Sequence, residues 1–433
     1  MGEVIIIGAG ITGLSCAWRL RRLGIEPLVL ESSSHAGGVI RSERIGEFLI
    51  ERGPNSLLPT SETFTILDEA GLTSQIIEGD PKAPRYICLN GSLKKAPFEP
   101  MTFGGLLRAA AEPFIRSKSP KDESVSNFFV RRFGQQAQDR LVAPFVTGIY
   151  AGNTRELSMA ATFPKLTAME RQYGSVVLGM MKSPRPKSAR RGRTCSFVDG
   201  MGALPRRLAS DANIIYECGK VTVDRDLNVD RQGGRTKAGA VIITAPTYRA
   251  VGIVEQSLPH VGRILENATY APMISVTSFI ADDAFPHPLH GFGFLVPRSE
   301  KLHILGTLFS SALFSGRAPE GKQLLTSFIG GAHEPEAIQW SDERVWETVQ
   351  KELQTVLKTS RAPELIAITR YTHAIPQYKI GQEHWVAALK GELTCAPGLF
   401  FGGNYMEGIS VASCIETGER IARETAAFMS SAS

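Results

Sequence analysis

The chain has 433 residues, 43% of them hydrophobic and 21% charged, a balance that excludes a disordered polymer and leaves room for two or three folded domains. No apolar run reaches the ~18 residues of a transmembrane helix, and no basic stretch precedes the apolar start, so a soluble, cytoplasmic protein without a signal peptide is expected. The net charge of +5 is uneven: "KSPRPKSARRGR" (182–193) carries six basic residues and no acidic one. That stretch reads as a solvated loop or as an attraction to an anionic membrane surface. It has no interleaved aromatics, which argues against a nucleic-acid partner.

The chain opens with "EVIIIGAGITGLSCAWRLRRLGIEPLVLES". Val4–Ile7 is a continuous apolar run, as a buried parallel strand requires. Leu14–Leu23 has helical spacing and Gly24 ends it, and Leu28–Leu30 is a second strand, which makes a βαβ unit. Residues 60–72 predict a helix capped by Thr60 or Ser61 and stopped by Gly71. From 82 to 193 the pattern is mostly helical with proline punctuation, read as an inserted helical domain. Strand patterns return near 195 and predominate from 256 to 370, with a helix predicted at 341–358. The end of the chain repeats a strand–loop–helix pattern in "GLFFGGNYMEGISVASCIETGERIA" (398–422).

Gly8-Ala9-Gly10-Ile11-Thr12-Gly13 fits G-x-G-x-x-G between a strand and a helix. Gly8 permits the tight turn, Gly10 lets backbone approach a pyrophosphate, and Gly13 lets helix and strand pack closely. Glu31, at the end of the next strand, suits a ribose. Alone the loop does not separate NAD from FAD. An E-x5-GG-x3-S pattern follows, with Gly37-Gly38, Arg41 and Ser42, and favours FAD. A second glycine turn, Gly402-Gly403 with Asn404, would serve the flavin end. The helix expected to begin near Ile409 would aim its N–H groups at the ring. Val221 in "GKVTVD" is placed beside the adenine.

The six cysteines form no C-x-x-C pair and read as buried reduced thiols. The eight histidines show no ligand spacing, His287 and His290 lie among prolines, and no metal is expected.

With "GPNS" (53–56), "TGIYAGNTRELSMAATFPKL" (147–166), "GFGFLVP" (291–297), "IPQYKIGQEHW" (375–385) and "NYMEGISVASCI" (404–415), the chain resembles the FAD-dependent protoporphyrinogen oxidases, within the amine-oxidase-like flavoproteins. The resemblance implies an α/β fold: a Rossmann-like FAD domain from residues 1–81, 194–255 and 371–433, a helical membrane-associated insertion at 82–193, and a mixed-sheet substrate domain at 256–370. It implies FAD contacts from the first glycine loop, Glu31, Ser32, Gly37, Gly38, Val39, Arg41, Gly53, Pro54, Asn55, Ser56, Val221, Trp385, Asn404, Ile409, Ser410 and Val411. Arg85 is implied as a propionate partner. Phe292, Leu295 and Phe328 would line an apolar slot, Gly148 would approach the macrocycle, and Asn55 would lie beside the flavin. The substrate would be a porphyrinogen and molecular oxygen the acceptor. A homodimer is compatible with the resemblance. The superfamily usually has Asp where this chain has Asn404.

No general base is evident, so positioning and the flavin's electronics are expected to carry the reaction. Coproporphyrinogen III oxidase is the nearest alternative; a more basic pocket would favour it, with Lys94, Lys95, Arg131, Arg132 and Arg171 as candidate cations. An amine oxidase or carotenoid desaturase is a second, in which Tyr405 could form a wall of an aromatic cage. A non-enzymatic FAD-binding scaffold is a third.

Overall fold

The computed structural model describes residues 2–115, 120–183 and 193–431. Most of the basic stretch 182–193 lies outside the described residues.

The fold is mixed α/β, built on two seven-stranded sheets. The first has a parallel core in the order 213–215, 27–30, 3–7, 234–243, 399–401. Its central strand Glu3–Ile7 is apolar on both faces and buried from Val4 onward, as a strand covered from both sides must be. The helix Ile11–Arg22 follows it and ends before Gly24, which has φ +81°. The C-terminal helix Val411–Ser431 lies beside that helix, and Gly418 makes the closeness workable. A Cβ at Gly418 would sit 2.4 Å from the Thr12 carbonyl oxygen and 3.0 Å from the Cys16 nitrogen.

The second sheet runs in the order 364–376, 270–281, 322–330, 304–309, 293–295, 85–89, 92–95. Alternation divides its side chains between two faces. Ile274, Val276, Phe294, Phe309, Leu325 and Ile329 meet the buried Val345, Val349 and Leu353 of the helix Asp342–Leu357. The other face carries Leu295, Leu308, Thr326 and Phe328. The expected division of the chain therefore needs correction in two places. Strands Arg85–Leu89 and Ser92–Lys95, counted in the helical insertion, extend the second sheet; the Asn90-Gly91 turn joins them as a hairpin. Strand Glu364–Pro376 crosses the expected boundary at 370 and pairs along its length with Tyr270–Ala281.

The helical segment has its own small core of Val125, Phe128, Val146, Leu157, Met159 and Val176. Beside it lies a buried ion network. Arg132 and Glu112 are both fully buried and 2.6 Å apart, and Arg131 reaches Glu170 at 2.6 Å and also bonds Glu123.

Candidate active site

The strand–turn–helix at Gly8–Gly13 has the geometry its glycines predict. A Cβ at Gly13 would lie 2.0 Å from the Gly8 carbonyl oxygen, so helix and strand touch there. Gly10 is the N-cap, and its side of the turn has no side-chain cap. A Cβ added at Gly10 would meet nothing within 4 Å. An uncapped helix end beside open space is an anion cradle. Glu31 fixes this loop. Its Oε2 accepts from the Ala9 N–H at 2.8 Å, and its Oε1 accepts from the Ser33 N–H at 2.8 Å and from the Ser32 and Ser33 hydroxyls. Oε2 keeps a lone pair for a sugar hydroxyl.

The Gly37-Gly38 turn lies against the same loop. Gly37 donates to the Ala9 carbonyl at 2.8 Å, and a Cβ at Gly38 would be 3.6 Å from Gly10 Cα. Val39 follows, and its carbonyl oxygen would be 1.9 Å from a Cβ at Gly53, so the "GPNS" turn needs its glycine. Arg41 is exposed, and its carbonyl accepts from the Arg52 N–H at 2.8 Å. Pro54, Asn55 and Ser56 are half-buried, and Asn55 Nδ2 donates to the Gly53 carbonyl at 3.3 Å.

The second glycine turn closes on the first sheet, where Gly402 donates to the Ile243 carbonyl at 3.0 Å. The Tyr378 hydroxyl holds it, donating to the Asn404 carbonyl and accepting from the Gly408 N–H at 2.7 Å. The following helix begins at Val411, slightly later than expected, because Ser410 caps it by accepting from the Ser413 N–H at 3.0 Å. Ile409 is half-buried beside that cap. This helix runs parallel to Ile11–Arg22, since the Cys414 thiol lies by Thr12 and Gly418 meets Cys16. Both helices therefore direct their positive ends toward one groove. These features fit FAD: an open phosphate cradle, a ribose acceptor, and a second helix end for the ring.

Two residues expected at the cofactor play other roles with their side chains. Val221 is 7% exposed and sits in the core with Ile5, Leu28 and Ile243. Trp385 donates its indole N–H to the Ile264 carbonyl at 2.7 Å and meets Tyr405 edge-on.

The substrate residues gather on the open face of the second sheet. Leu295 pairs with Gly306, and Gly306 with Phe328, so the three lie in one row. Gly148, on the helix Ala143–Tyr150, stands over that row: a Cβ there would be 2.3 Å from Leu295 Cδ2. Phe145 and Ile149 on the same helix are exposed. A small cavity lies between this face and the Gly53–Ser56 turn, lined by Asn55, Ser56, Phe292, Leu308, Thr326 and Arg317 among others. Arg85 is exposed at the rim, with its guanidinium 4.6 Å from the centre of the Phe292 ring. Leu308 escaped the sequence reading because an ordinary apolar position carries no local mark.

Glu51 and Arg317 form a buried ion pair at that cavity, 3.2 Å apart. Burial pushes the Glu51 carboxyl up to about 7, against the pull of Arg317 and the hydrogen bonds from Ser42 and the Met201 N–H. With both oxygens engaged, Glu51 holds the flavin-side hairpin rather than offering a base.

Three of the extra cations weighed for a four-carboxylate substrate do not serve one here. Arg131 and Arg132 belong to the buried network of the helical segment, and Arg171 donates to the Lys121 carbonyl at 3.5 Å. Tyr405 is 2% exposed, within the same core as Ile7 and Met406, and forms no cage wall.

Residues 11–426 match the family of flavin containing amine oxidoreductases. The chain is 31% identical to the chloroplastic protoporphyrinogen oxidase of Nicotiana tabacum, over 99% of this chain and 86% of that one. It is 27% identical to the coproporphyrinogen III oxidase of Bacillus subtilis (strain 168), over 99% and 98%. A crystal structure from Exiguobacterium sp. 255-15 has a TM-score of 0.83 at 23% identity, covering 98% of this chain and 99% of that one. Reduced UDP-galactopyranose mutase follows at 0.77 and 15%, covering 98% and 95%. The last two likenesses speak for the fold alone. Fold, groove and family match together define an FAD-dependent oxidoreductase. The chain belongs to the flavin containing amine oxidoreductases and, within them, to the protoporphyrinogen oxidase family.

Proposed function

We propose that the chain oxidises protoporphyrinogen IX to protoporphyrin IX in haem biosynthesis, with removal of six electrons. The observation that carries this reading is the single apolar face where Gly148 stands over Leu295, Gly306 and Phe328, with Arg85 at its rim. A large apolar macrocycle with few acidic groups suits such a surface. FAD, when bound, supplies the hydride acceptor, and molecular oxygen takes the electrons on to give hydrogen peroxide.

The chain's own contribution is placement. Leu295, Phe328 and Phe292 exclude water and hold the rings. Arg85 fixes a propionate with its planar fork. Asn55 offers an amide where slot and cofactor groove meet. The pyrrole proton leaves to water or a backbone oxygen.

Coproporphyrinogen III is the second reading, supported by the likeness to the Bacillus subtilis enzyme across nearly its whole length. The withdrawal of Arg131, Arg132 and Arg171 from the slot supports the two-carboxylate substrate instead. The test is anaerobic stopped-flow reduction of the FAD-loaded enzyme by each porphyrinogen. Faster bleaching by protoporphyrinogen IX is expected; the reverse preference would move the enzyme to coproporphyrinogen, and no bleaching by either would discard both.

Peripheral attachment to the cytoplasmic face of a membrane belongs to the same proposal. Among the described residues no helix is long and apolar enough to cross a membrane. The helix Phe103–Ala110 buries none of its residues, and Phe103 is 76%, Phe114 83% and Met181 77% exposed. Such a patch suits an interfacial contact. Co-sedimentation with anionic vesicles, lost in a Phe103→Ser/Phe114→Ser double variant, is the expected result; retention by that variant would refute it.

A further inference from the structure

The second sheet fixes which cations share the face of the slot. Lys94 pairs with Ile87, Ile87 with Leu295, Leu295 with Gly306, and Gly306 with Phe328. Directly paired residues project to the same side, so one row carries Lys94 and the slot residues together. The next row has the opposite sense. Lys95 pairs with Tyr86 and Tyr86 with Phe294, and Phe294 is buried under the helix Asp342–Leu357 with the Tyr86 ring packed against that core. Of the two adjacent lysines, Lys94 alone has the slot's side.

Arg85 is two residues before Ile87 and shares its face. On the neighbouring strand Lys94 is its diagonal neighbour, a separation of about 7–8 Å in sheet geometry. Both are exposed, and neither forms an ion pair among the described residues. Two like charges side by side repel only weakly in water, and an anion between or above them is attracted by both.

We propose that Lys94 is a second carboxylate anchor of the slot, paired with Arg85 to hold two neighbouring propionates of a tetrapyrrole; this rests on the porphyrinogen reading above. The residue types divide the task. The planar fork of Arg85, backed by Phe292, sets the orientation of one carboxylate. Lys94 is a point charge on a flexible stem, which follows a second carboxylate on a rotatable arm. The pair selects a macrocycle whose acidic arms lie on adjacent rings, and it sets which edge remains at the mouth.

The test measures binding separately from turnover. Protoporphyrin IX and its dimethyl ester are titrated into FAD-loaded enzyme by fluorescence quenching, with Lys94→Met, Lys94→Arg and Lys94→Glu. Lys94→Met weakens the diacid about three- to tenfold, Lys94→Arg restores most of it, Lys94→Glu weakens it further, and the diester binds all forms alike. Unchanged diacid binding in Lys94→Met, or equal losses for diacid and diester, would overturn the anchor. Flavin bleaching by protoporphyrinogen IX in the unsubstituted enzyme reads the parent assignment on its own. Absent bleaching with a Lys94-dependent diacid affinity would sink the reaction and keep the anchor. Bleaching without that dependence would do the reverse, and no binding of the diacid at all would sink both.

Discussion

Gly10→Ala and Gly13→Ala separate the two tasks of the first glycine loop. At Gly13 an added Cβ would lie 2.0 Å from the Gly8 carbonyl oxygen and 2.7 Å from Thr244 Oγ1. The nearer obstacle is backbone, so helix and strand must part by more than an ångström, at a cost of about 1–3 kcal/mol or more. At Gly10 the backbone is extended, with φ −70° and ψ 174°, which alanine adopts freely, and a Cβ meets nothing within 4 Å. The apoprotein should lose no stability there and can gain about 0.4–1 kcal/mol through the unfolded chain. The methyl group nevertheless stands in the open space that a pyrophosphate needs. Gly10→Ala should weaken FAD at least about tenfold, or ~1.4 kcal/mol. The assay is FAD titration of apoprotein by flavin fluorescence, alongside thermal unfolding of the same apoprotein. The reasoning fails if Gly10→Ala binds FAD as the parent does, or if Gly13→Ala unfolds at the parent temperature.

Arg317→Met removes the countercharge of Glu51, whose carboxyl is already pushed up to about 7 by burial, so the stability lost in urea unfolding should be larger at pH 9 than at pH 6, where the carboxyl takes a proton; a loss under ~1 kcal/mol at pH 9 would mean that the pair is not a staple. Gly148→Ala drives a methyl into Leu295 Cδ2, the movable end of a side chain, so stability should hold while KM rises; an unchanged KM would mean that this contact does not shape the slot. At pH 8 iodoacetamide should label only Cys395 in the native protein, because the other five cysteines are buried, and burial pushes thiols such as Cys88 and Cys414 up to about 11. Modification of any of those five before unfolding would contradict this.

What the sequence disclosed was local. The glycine loop, Glu31 and the Gly37-Gly38 turn all lie between residues 8 and 38 of one strand–turn–helix–strand stretch, so spacing alone carried their meaning. A helix cap was equally plain: Thr60, one of the two candidates, accepts from the Thr63 N–H. What stayed hidden depends on partners far along the chain. Arg132 looks like a surface cation until Glu112 and Glu170 fold around it. The hairpin of strands Arg85–Leu89 and Ser92–Lys95 carried a turn signal in Asn90-Gly91, but the helical run after it masked the signal. Lys94 and Lys95 are alike in sequence and differ only through register. The row of Leu295, Gly306 and Phe328 is likewise a product of strand pairing. The resemblance named two of its members, and the structure alone supplies Gly306 between them.

The parallel core of the first sheet joins residues 3–7 to 234–243, and those to 399–401. A ribosome releases these strands in that order, and the helix Val411–Ser431 follows them all. The nascent chain must carry an unfinished sheet, with the apolar flank of Ile11–Arg22 uncovered, through nearly the whole of its synthesis. FAD has no complete groove to bind until that last helix emerges. Such long-range pairing folds slowly. A stalled or clipped chain lacking its last few dozen residues would be a sticky, colourless protein rather than a weakened enzyme.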